Sequence, residues 1–208
     1  MGRRAVSDLT RLYDEINQCQ RCPLGRTRTR AVPGEGPEDA KIVFIGEAPG
    51  FHEDQQGRPF VGAAGHFLEQ LLASIGMKRR DVYICNIIKC RPPGNRDPLP
   101  NEIQACAEFL DRQIALIKPR VIVTLGRYSM AKYLPQASIS RVHGRPQRVG
   151  DIIVLPLYHP AAALHRPRYK ADIEEDFKKI PALLQESIAL DETPPPAGPV
   201  EAEQLRLF

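Results

Sequence analysis

Short apolar runs alternate with longer segments of helical periodicity along the chain. The runs cover residues 41–46, 82–88, 121–126 and 152–158, are rich in Val and Ile, and do not alternate polar with apolar positions. Such runs are typical of parallel strands covered on both faces. Between and around them, apolar residues recur every three to four positions and predict helices over residues 6–18, 62–75, 101–117 and 169–190. The alternation predicts an α/β fold, a three-layer αβα sandwich with a central four-stranded, mainly parallel sheet.

The last 18 residues differ in character from the rest. They contain the run Thr193-Pro194-Pro195-Pro196-Ala197-Gly198-Pro199, which cannot propagate a helix and has little to bury. We therefore expect one domain over residues 1–190 and a disordered, Pro-rich tail over residues 191–208.

Charge is distributed unevenly between these two parts. The whole chain of 208 residues carries a formal charge of +4, but the tail carries −3, so the remaining 190 residues carry +7. A basic body suits a polyanionic partner such as a nucleic acid, although an ordinary arginine-rich surface gives the same count. No secretory or membrane-spanning segment is recognisable, so we expect a cytoplasmic protein without membrane contact.

Four of the five cysteines have a spacing that suits a metal centre. They are Cys19 and Cys22, separated by two residues, and Cys90 and Cys106, separated by 15 residues. A close pair and a distant pair can supply four soft thiolate ligands, and the spacing alone leaves zinc and an iron–sulfur cluster equally open. Cys85 lies in an apolar run, where we expect a buried, inert thiol.

Polar chemistry follows the predicted strands. Glu47 comes directly after the first strand, Asn86 lies in the second, and His159 follows the fourth, while Phe60 stands between two glycines in an intervening loop. Ligands of open α/β folds gather at the carboxyl ends of the strands. A carboxylate, an amide, an imidazole and a flat ring in one place could bind a planar heterocycle.

Several of these segments together resemble the family 4 uracil-DNA glycosylases. The matching segments are Gly46-Glu47-Ala48-Pro49-Gly50, Gly57-Arg58-Pro59-Phe60-Val61-Gly62, Asn86 to Pro93, and His159-Pro160, and the resemblance covers roughly residues 5–190. It implies that the four cysteines hold a [4Fe–4S] cluster. It also implies a DNA repair enzyme of base excision repair, a monofunctional glycosylase that flips uracil out of single- or double-stranded DNA and hydrolyses the N-glycosidic bond.

The resemblance also implies roles for individual residues. Uracil would be bound by Gly46, Glu47, Ala48, Phe60, Asn86 and His159, with His159 donating to O2 of the departing base and Glu47 positioning water or stabilising the sugar cation. Leu164 would enter the space of the flipped base. Contacts to DNA are expected from Arg166, Arg91, Arg96 and Lys89.

The chain terminus resembles a second known motif. Gln204-Leu205-Arg206-Leu207-Phe208 is similar to the pentapeptide by which bacterial repair proteins dock on the sliding clamp, with Gln204, Leu205, Leu207 and Phe208 as the contacting residues. We accordingly expect a monomer that acts at the nucleoid of a prokaryote and is tethered to the clamp.

Two alternatives stay open at this point. One is a zinc- or cluster-stabilised nucleic-acid-binding module without catalysis. The other is a glycosylase of broader base specificity, because Gly50 leaves space beside the base where a bulkier residue would exclude a methyl group.

Overall fold

A single mixed sheet forms the centre of the protein. The structure, a computed structural model, describes residues 6–192, apart from the side chains of residues 165 and 188–192. The strands are β1 (Ile42–Gly46), β2 (Tyr83–Asn86), β3 (Val121–Leu125), β4 (Gln147–Val149) and β5 (Ile152–Leu157), in the spatial order β2-β1-β3-β5-β4. The pairs β2–β1, β1–β3 and β3–β5 are parallel, and β4 is antiparallel to β5. The four predicted strands are confirmed, whereas the short edge strand β4 was not predicted.

Helices cover both faces of the sheet, which confirms the three-layer αβα sandwich. Alternate residues of β1 point to opposite faces: Ile42 and Phe44 join one hydrophobic core, and Val43 and Ile45 join the other. The helices are α1 (Asp8–Gln18), α2 (Leu24–Thr27), α3 (Phe51–Gln56), α4 (Ala63–Ser74), α5 (Pro100–Ile117), α6 (Arg127–Tyr133), α7 (Ile139–Val142), α8 (Pro160–His165), α9 (Pro167–Phe177) and α10 (Ile180–Glu192). The first core is completed by α4, α9 and α10, and the second by α1 and α5.

Local sequence signals set the ends of the main helices. The hydroxyl of Ser7 accepts a hydrogen bond from the backbone N–H of Thr10 at 3.1 Å and caps α1. Helix α5 ends at Lys118, whose φ of 53° is left-handed, directly before Pro119. These helices and α4 lie within two residues of their predicted bounds.

The predicted helix over residues 169–190 is instead two helices, α9 and α10. Pro181 is the second residue of α10 and has no N–H to continue the hydrogen bonding of α9, so the chain starts a new helix there. Among residues 6–192, no helix is both long and apolar enough to cross a lipid bilayer.

The parallel strands bring their carboxyl ends to one edge of the sheet. In the β1–β2 register Gly46 pairs with Asn86, so the last residues of the two strands are neighbours. His159 follows β5 at the same edge. The topology therefore gathers the polar strand ends, as the sequence predicted.

Candidate active site and cysteine cavity

A cleft of about 390 Å³ opens at this edge of the sheet. The turn after β1, the loop before α4, the end of β2, the segment before α5 and the start of α8 all contribute to its wall. Its lining residues are Glu47, Ala48, Pro49, Gly50, Glu53, Phe60, Ala64, Asn86, Pro92, Asn95, Arg96, His159 and Ala161. The structure thus brings Glu47, Ala48, Phe60, Asn86 and His159 together, as predicted.

Asn86 presents an unsatisfied amide oxygen in this cleft. The residue is 1% exposed, and its Oδ1 is buried without a hydrogen-bond partner. Burying such a group without a partner costs about 1–3 kcal/mol, so an unpartnered oxygen in the wall of a cleft is available to a ligand that enters it. Gly46 lies against it: a Cβ added at Gly46 would be 2.4 Å from Asn86 Oδ1 and 2.6 Å from Phe60 Cζ. Gly46 is therefore needed for close packing beneath the ligand site.

Phe60 is held in an unusual backbone conformation. Its φ is 52°, a left-handed value that non-glycine residues adopt at a cost. Arg79 Nη1 donates to the Phe60 carbonyl at 2.9 Å. Gly65 of α4 packs against the same carbonyl so closely that an added Cβ would lie 1.9 Å from it. The surroundings thus fix the ring, which stacks on that of His159 with centroids 5.6 Å apart and planes 25° apart.

Glu53 links the two loops that form the cleft, a role the sequence analysis missed. Its Oε1 accepts hydrogen bonds from the backbone N–H groups of Val61 and Gly62, each at 2.8 Å. Its Oε2 accepts from Gly50 N–H at 3.1 Å. A glutamate three residues after the glycine that precedes α3 was the available signal, because that spacing is typical of a capping box.

The same contact changes the interpretation of Gly50. A Cβ added there would lie 2.8 Å from Glu53 Oε2, so the space beside Gly50 is taken by the carboxylate. Gly50 itself lines the cleft, and the expected space for a methyl group of the base stays a prediction.

His159 is arranged as a neutral hydrogen-bond donor. It caps α8, and its Nδ1 accepts from the backbone N–H of Ala161 at 3.1 Å. Burial lowers the pKa of His159 to about 4, against a smaller opposing effect of Glu53. A neutral imidazole that accepts at Nδ1 carries its proton on Nε2, which is then free to donate.

Glu47 is half-buried and titrates near neutrality. Burial, reinforced by the nearby carboxylate of Asp97, raises the pKa of Glu47 to about 7, against the opposing charge of Arg127. Such a shift in a cleft is typical of residues that take part in chemistry. The cleft therefore contains one carboxyl group that changes its charge around pH 7.

The four predicted ligand cysteines line a second cavity. Cys19, Cys22, Cys90 and Cys106 share it with Arg28 of the α2 segment and with Lys89. None of the four is in a disulfide, and burial raises the pKa of Cys90 to about 11, against the opposing effect of Arg28. Among residues 6–192, however, the His, Cys, Asp and Glu side chains form no group of three or more that could hold a metal ion.

The cavity contains donors directed at sulfur. Arg28 Nη1 donates to Cys90 Sγ at 3.0 Å, and the backbone N–H of Arg21 donates to Cys19 Sγ at 3.5 Å. Such bonds stabilise negative charge on thiolates and are a means by which proteins tune iron–sulfur centres. Cys85 is fully buried outside this cavity, which confirms the expected burial of this thiol.

The predicted DNA contacts have varied surroundings. Leu164 is 51% exposed on α8, and Arg166 is exposed directly after that helix. Arg96 lines the cleft and is paired with the buried carboxylate of Glu102 at 2.6 Å. The expectation for Lys89 was wrong: it is 1% exposed, and its Nζ donates to Asn86 O at 2.8 Å and to Gln113 Oε1 at 2.6 Å. It cannot reach a phosphate.

The predicted clamp-binding residues Gln204, Leu205, Leu207 and Phe208 lie outside the described residues. Their role and the domain boundary at residue 190 remain predictions.

Comparison with known proteins identifies the family. Residues 33–181 match the model of the uracil DNA glycosylase superfamily. The chain is 50% identical to the type-4 uracil-DNA glycosylase of Sulfurisphaera tokodaii, with 84% of each chain covered. It is 49% identical to that of Archaeoglobus fulgidus, over 84% of this chain and 92% of the relative. A type-5 uracil-DNA glycosylase of Thermus thermophilus is 32% identical, over 68% of this chain and 78% of the relative. The chain belongs to the type-4 uracil-DNA glycosylases of the uracil DNA glycosylase superfamily.

Proposed function

We propose that this protein removes uracil from DNA by hydrolysing the N-glycosidic bond, which leaves an abasic site. The single observation that carries the proposal is the buried, unpartnered Oδ1 of Asn86 in a cleft that also contains Phe60 and His159. The relatives named type-4 uracil-DNA glycosylases support it. The cleft has the volume for one nucleotide, and its residues Asn86 and Phe60 are buried, so a base must leave the helical stack to reach them.

Asn86 selects uracil by its hydrogen-bonding edge. Its Oδ1 accepts from N3–H of uracil, and its NH₂ donates to O4. Cytosine offers an acceptor at N3 and an amino group at C4, so both contacts would be mismatched. Leaving buried polar groups unpaired costs a few kcal/mol, which is enough for strong discrimination.

His159 stabilises the departing base. As the bond between C1′ and N1 breaks, negative charge grows on the base and is shared by O2. Nε2–H of the neutral imidazole donates to O2, and its orientation is fixed in advance by the bond from Ala161 N–H to Nδ1.

Glu47 acts on the deoxyribose, which gains positive charge as the glycosidic bond breaks. Its carboxylate form stabilises that charge and orients the attacking water, as carboxylates do in other glycosyl hydrolases. Because only the ionised form can do this, its pKa of about 7 makes the reaction sensitive to pH.

We therefore expect kcat/KM for uracil excision to rise between pH 6 and 8, as Glu47 loses its proton. The Glu47→Gln variant should be slower by about a hundredfold at pH 8, with no rise over this range. Asp97→Asn is the matched control, because removing the carboxylate that helps to raise the pKa of Glu47 should move the rise to lower pH. A Glu47→Gln enzyme with the wild-type rate and profile would remove this residue from the chemistry.

A [4Fe–4S] cluster is the second part of the proposal. The four cysteines line one cavity, and N–H donors are directed at the sulfurs of Cys90 and Cys19. Four thiolates with such donors suit an iron–sulfur cluster, and the type-4 name of the relatives supports that choice over zinc. When bound, the cluster supplies four iron–thiolate bonds that join the α1–α2 segment to the two ends of the 90–106 segment. We propose that this role is structural.

One preparation tests both parts. Anaerobically purified protein is incubated with an oligonucleotide that contains a single uracil and with matched oligonucleotides that contain cytosine or thymine. Alkali-labile cleavage at uracil alone is expected, and its absence would refute the glycosylase proposal. Iron analysis should give about four atoms per chain with absorbance near 400 nm. A colourless, zinc-containing protein would overturn the cluster and leave the excision result to stand independently.

We also propose that the tail docks on the bacterial sliding clamp. Leucine and phenylalanine anchors with a register-setting glutamine suit an apolar groove, and the preceding residues 193–203 could span roughly 34 Å when extended. The tether would keep the enzyme near DNA that the clamp encircles.

Deleting residues 204–208 should abolish binding to a purified bacterial sliding clamp in surface plasmon resonance. Excision from a short oligonucleotide should stay within twofold of wild type, because the deletion keeps every residue that lines the cleft. Replacing Arg206 with alanine is the control, since it leaves the apolar anchors Leu205, Leu207 and Phe208 in place. Equal clamp affinity after the deletion would contradict the assignment.

A further inference from the structure

Phe51 exposes an aromatic ring at the rim of the cleft. Six large apolar side chains among the described residues are substantially exposed, and Phe51, at 51%, is the only aromatic one of the six. It follows directly after Gly50, which lines the cleft. An exposed ring one residue along the chain from the cleft wall is a candidate contact for DNA that enters the cleft.

The ring is fixed in place by its neighbours. The guanidinium carbon of Arg91 lies 5.1 Å from the centroid of the Phe51 ring, within the range of a cation–π contact. Arg91 Nε donates to Asn95 Oδ1 at 2.6 Å, and Asn95 is itself part of the cleft wall. The ring of His52 meets Phe51 edge-on, with centroids 5.5 Å apart. Phe51 is therefore a supported platform, and its ring does not depend on the hydrophobic core for orientation.

The two arginines of this segment differ in their partners. Arg96 is neutralised by Glu102 at 2.6 Å, whereas the contacts that the described residues give to Arg91 are an amide oxygen and a ring. The positive charge of Arg91 is thus available to a phosphate beside the ring. A flat ring with an available cation over one of its faces can bind single-stranded nucleic acid, by stacking a base on the opposite face and contacting its phosphate.

We infer that Phe51 and Arg91 form a nucleobase-stacking site for the base next to the extruded uracil on the same strand. The inference rests on the proposed function. Extrusion of one nucleotide leaves its neighbour without a stacking partner, and the Phe51 ring replaces that lost partner at the mouth of the cleft. Leu164, exposed at α8, would then act on a different part of the opened strand.

The test combines a substitution in the protein with a change in the DNA, as in a double-mutant cycle. The DNA is a single-stranded oligonucleotide that contains 2′-fluoro-2′-deoxyuridine, whose glycosidic bond resists cleavage. The base on the 5′ side or on the 3′ side of this nucleotide is replaced by an abasic spacer, and affinities are measured by fluorescence anisotropy. For wild-type protein, one of the two spacers should weaken binding at least tenfold. For Phe51→Ala, binding to the intact strand should be weakened by a similar factor, and the same spacer should cause no further loss.

Two further variants define the outcome. Phe51→Trp should restore sensitivity to the spacer, because it keeps a flat ring. Leu116→Ala removes another exposed apolar residue, one that does not line the cleft, and should behave as wild type. Independent, additive effects of the spacer and of Phe51→Ala at both positions would overturn the inference. The inference would also be overturned if wild-type protein excises uracil but its affinity is insensitive to both spacers. Protein that excises no uracil would instead refute the proposed function.

Discussion

Replacing His159 with alanine should slow single-turnover release of uracil by about a hundredfold to a thousandfold. A fixed hydrogen-bond donor aimed at an oxygen that gains charge in the transition state contributes roughly 3 kcal/mol. His159 meets the requirements for such a donor, since its Nδ1 accepts from Ala161 N–H at 3.1 Å and its proton therefore resides on Nε2. The loss should appear in the rate of the chemical step at saturating enzyme, because the contact strengthens only as charge develops.

The pH dependence of that loss separates two mechanisms. Because burial lowers the pKa of His159 to about 4, the imidazole is neutral from pH 5 to 9 and donates equally well throughout. The ratio of wild-type to His159→Ala rates should consequently be constant over this range. A ratio that grows as the pH falls toward 5 would indicate that the protonated imidazole is the active species. His66→Ala, which removes an exposed histidine of α4, is the control and should leave the rate unchanged.

The sequence predicted the fold well where the apolar pattern was continuous. Each parallel strand is buried over nearly its whole length, so its run of Val and Ile was recognisable without any partner. Strand β4 has only three residues, of which Arg148 and Val149 are exposed, and a pattern that short carries no periodicity. Its existence depends on pairing with β5, which the sequence does not reveal.

The residues of the cleft could be predicted where the arrangement of the parallel strands alone brings them together. Glu47, Asn86 and His159 were found because parallel strands bring their ends together. Lys89 was misassigned because its role depends on a contact between distant segments, and Glu53 was missed because its capping-box spacing signals only the contact with Gly50. Glu53 joins a turn to a loop eight and nine residues away, and Lys89 is buried against Gln113 of α5. Side-chain direction at such positions follows from packing, which no periodicity encodes.

Asn86 and Gln113 offer a comparison between an amide retained for function and one retained for stability. Both are buried, at 1% and 0% exposure. Gln113 accepts from Lys89 Nζ at 2.6 Å and donates to Pro33 O at 2.9 Å and to Tyr83 Oη at 2.8 Å, so its hydrogen bonds are satisfied within the protein. Asn86 Oδ1 has no such partner in the protein, and in the proposed function a bound base supplies it.

Alanine substitutions of these two residues should differ in effect, since one should lower activity and the other should lower stability. Asn86→Ala should lower kcat/KM for uracil about a thousandfold, because both edge contacts to the base are lost. Its Tm should stay within about 2 °C of wild type, since the variant also removes a buried, unsatisfied oxygen that costs about 1–3 kcal/mol. Gln113→Ala should lower Tm by about 10 °C, because it leaves the ammonium of Lys89 without its side-chain acceptor, at a cost of about 3–5 kcal/mol.

Differential scanning calorimetry of the cluster-loaded proteins and steady-state excision assays measure the two effects on the same samples. The comparison is informative because both substitutions remove a buried amide and differ only in whether the protein or the substrate satisfies it. A Tm for Asn86→Ala as low as that for Gln113→Ala would mean that Asn86 supports the fold and that its loss of activity is indirect. An unchanged Tm with a thousandfold loss of excision would instead assign Asn86 to base recognition. Its unpartnered oxygen would then lower the stability of the free protein and be retained because it gives specificity for uracil.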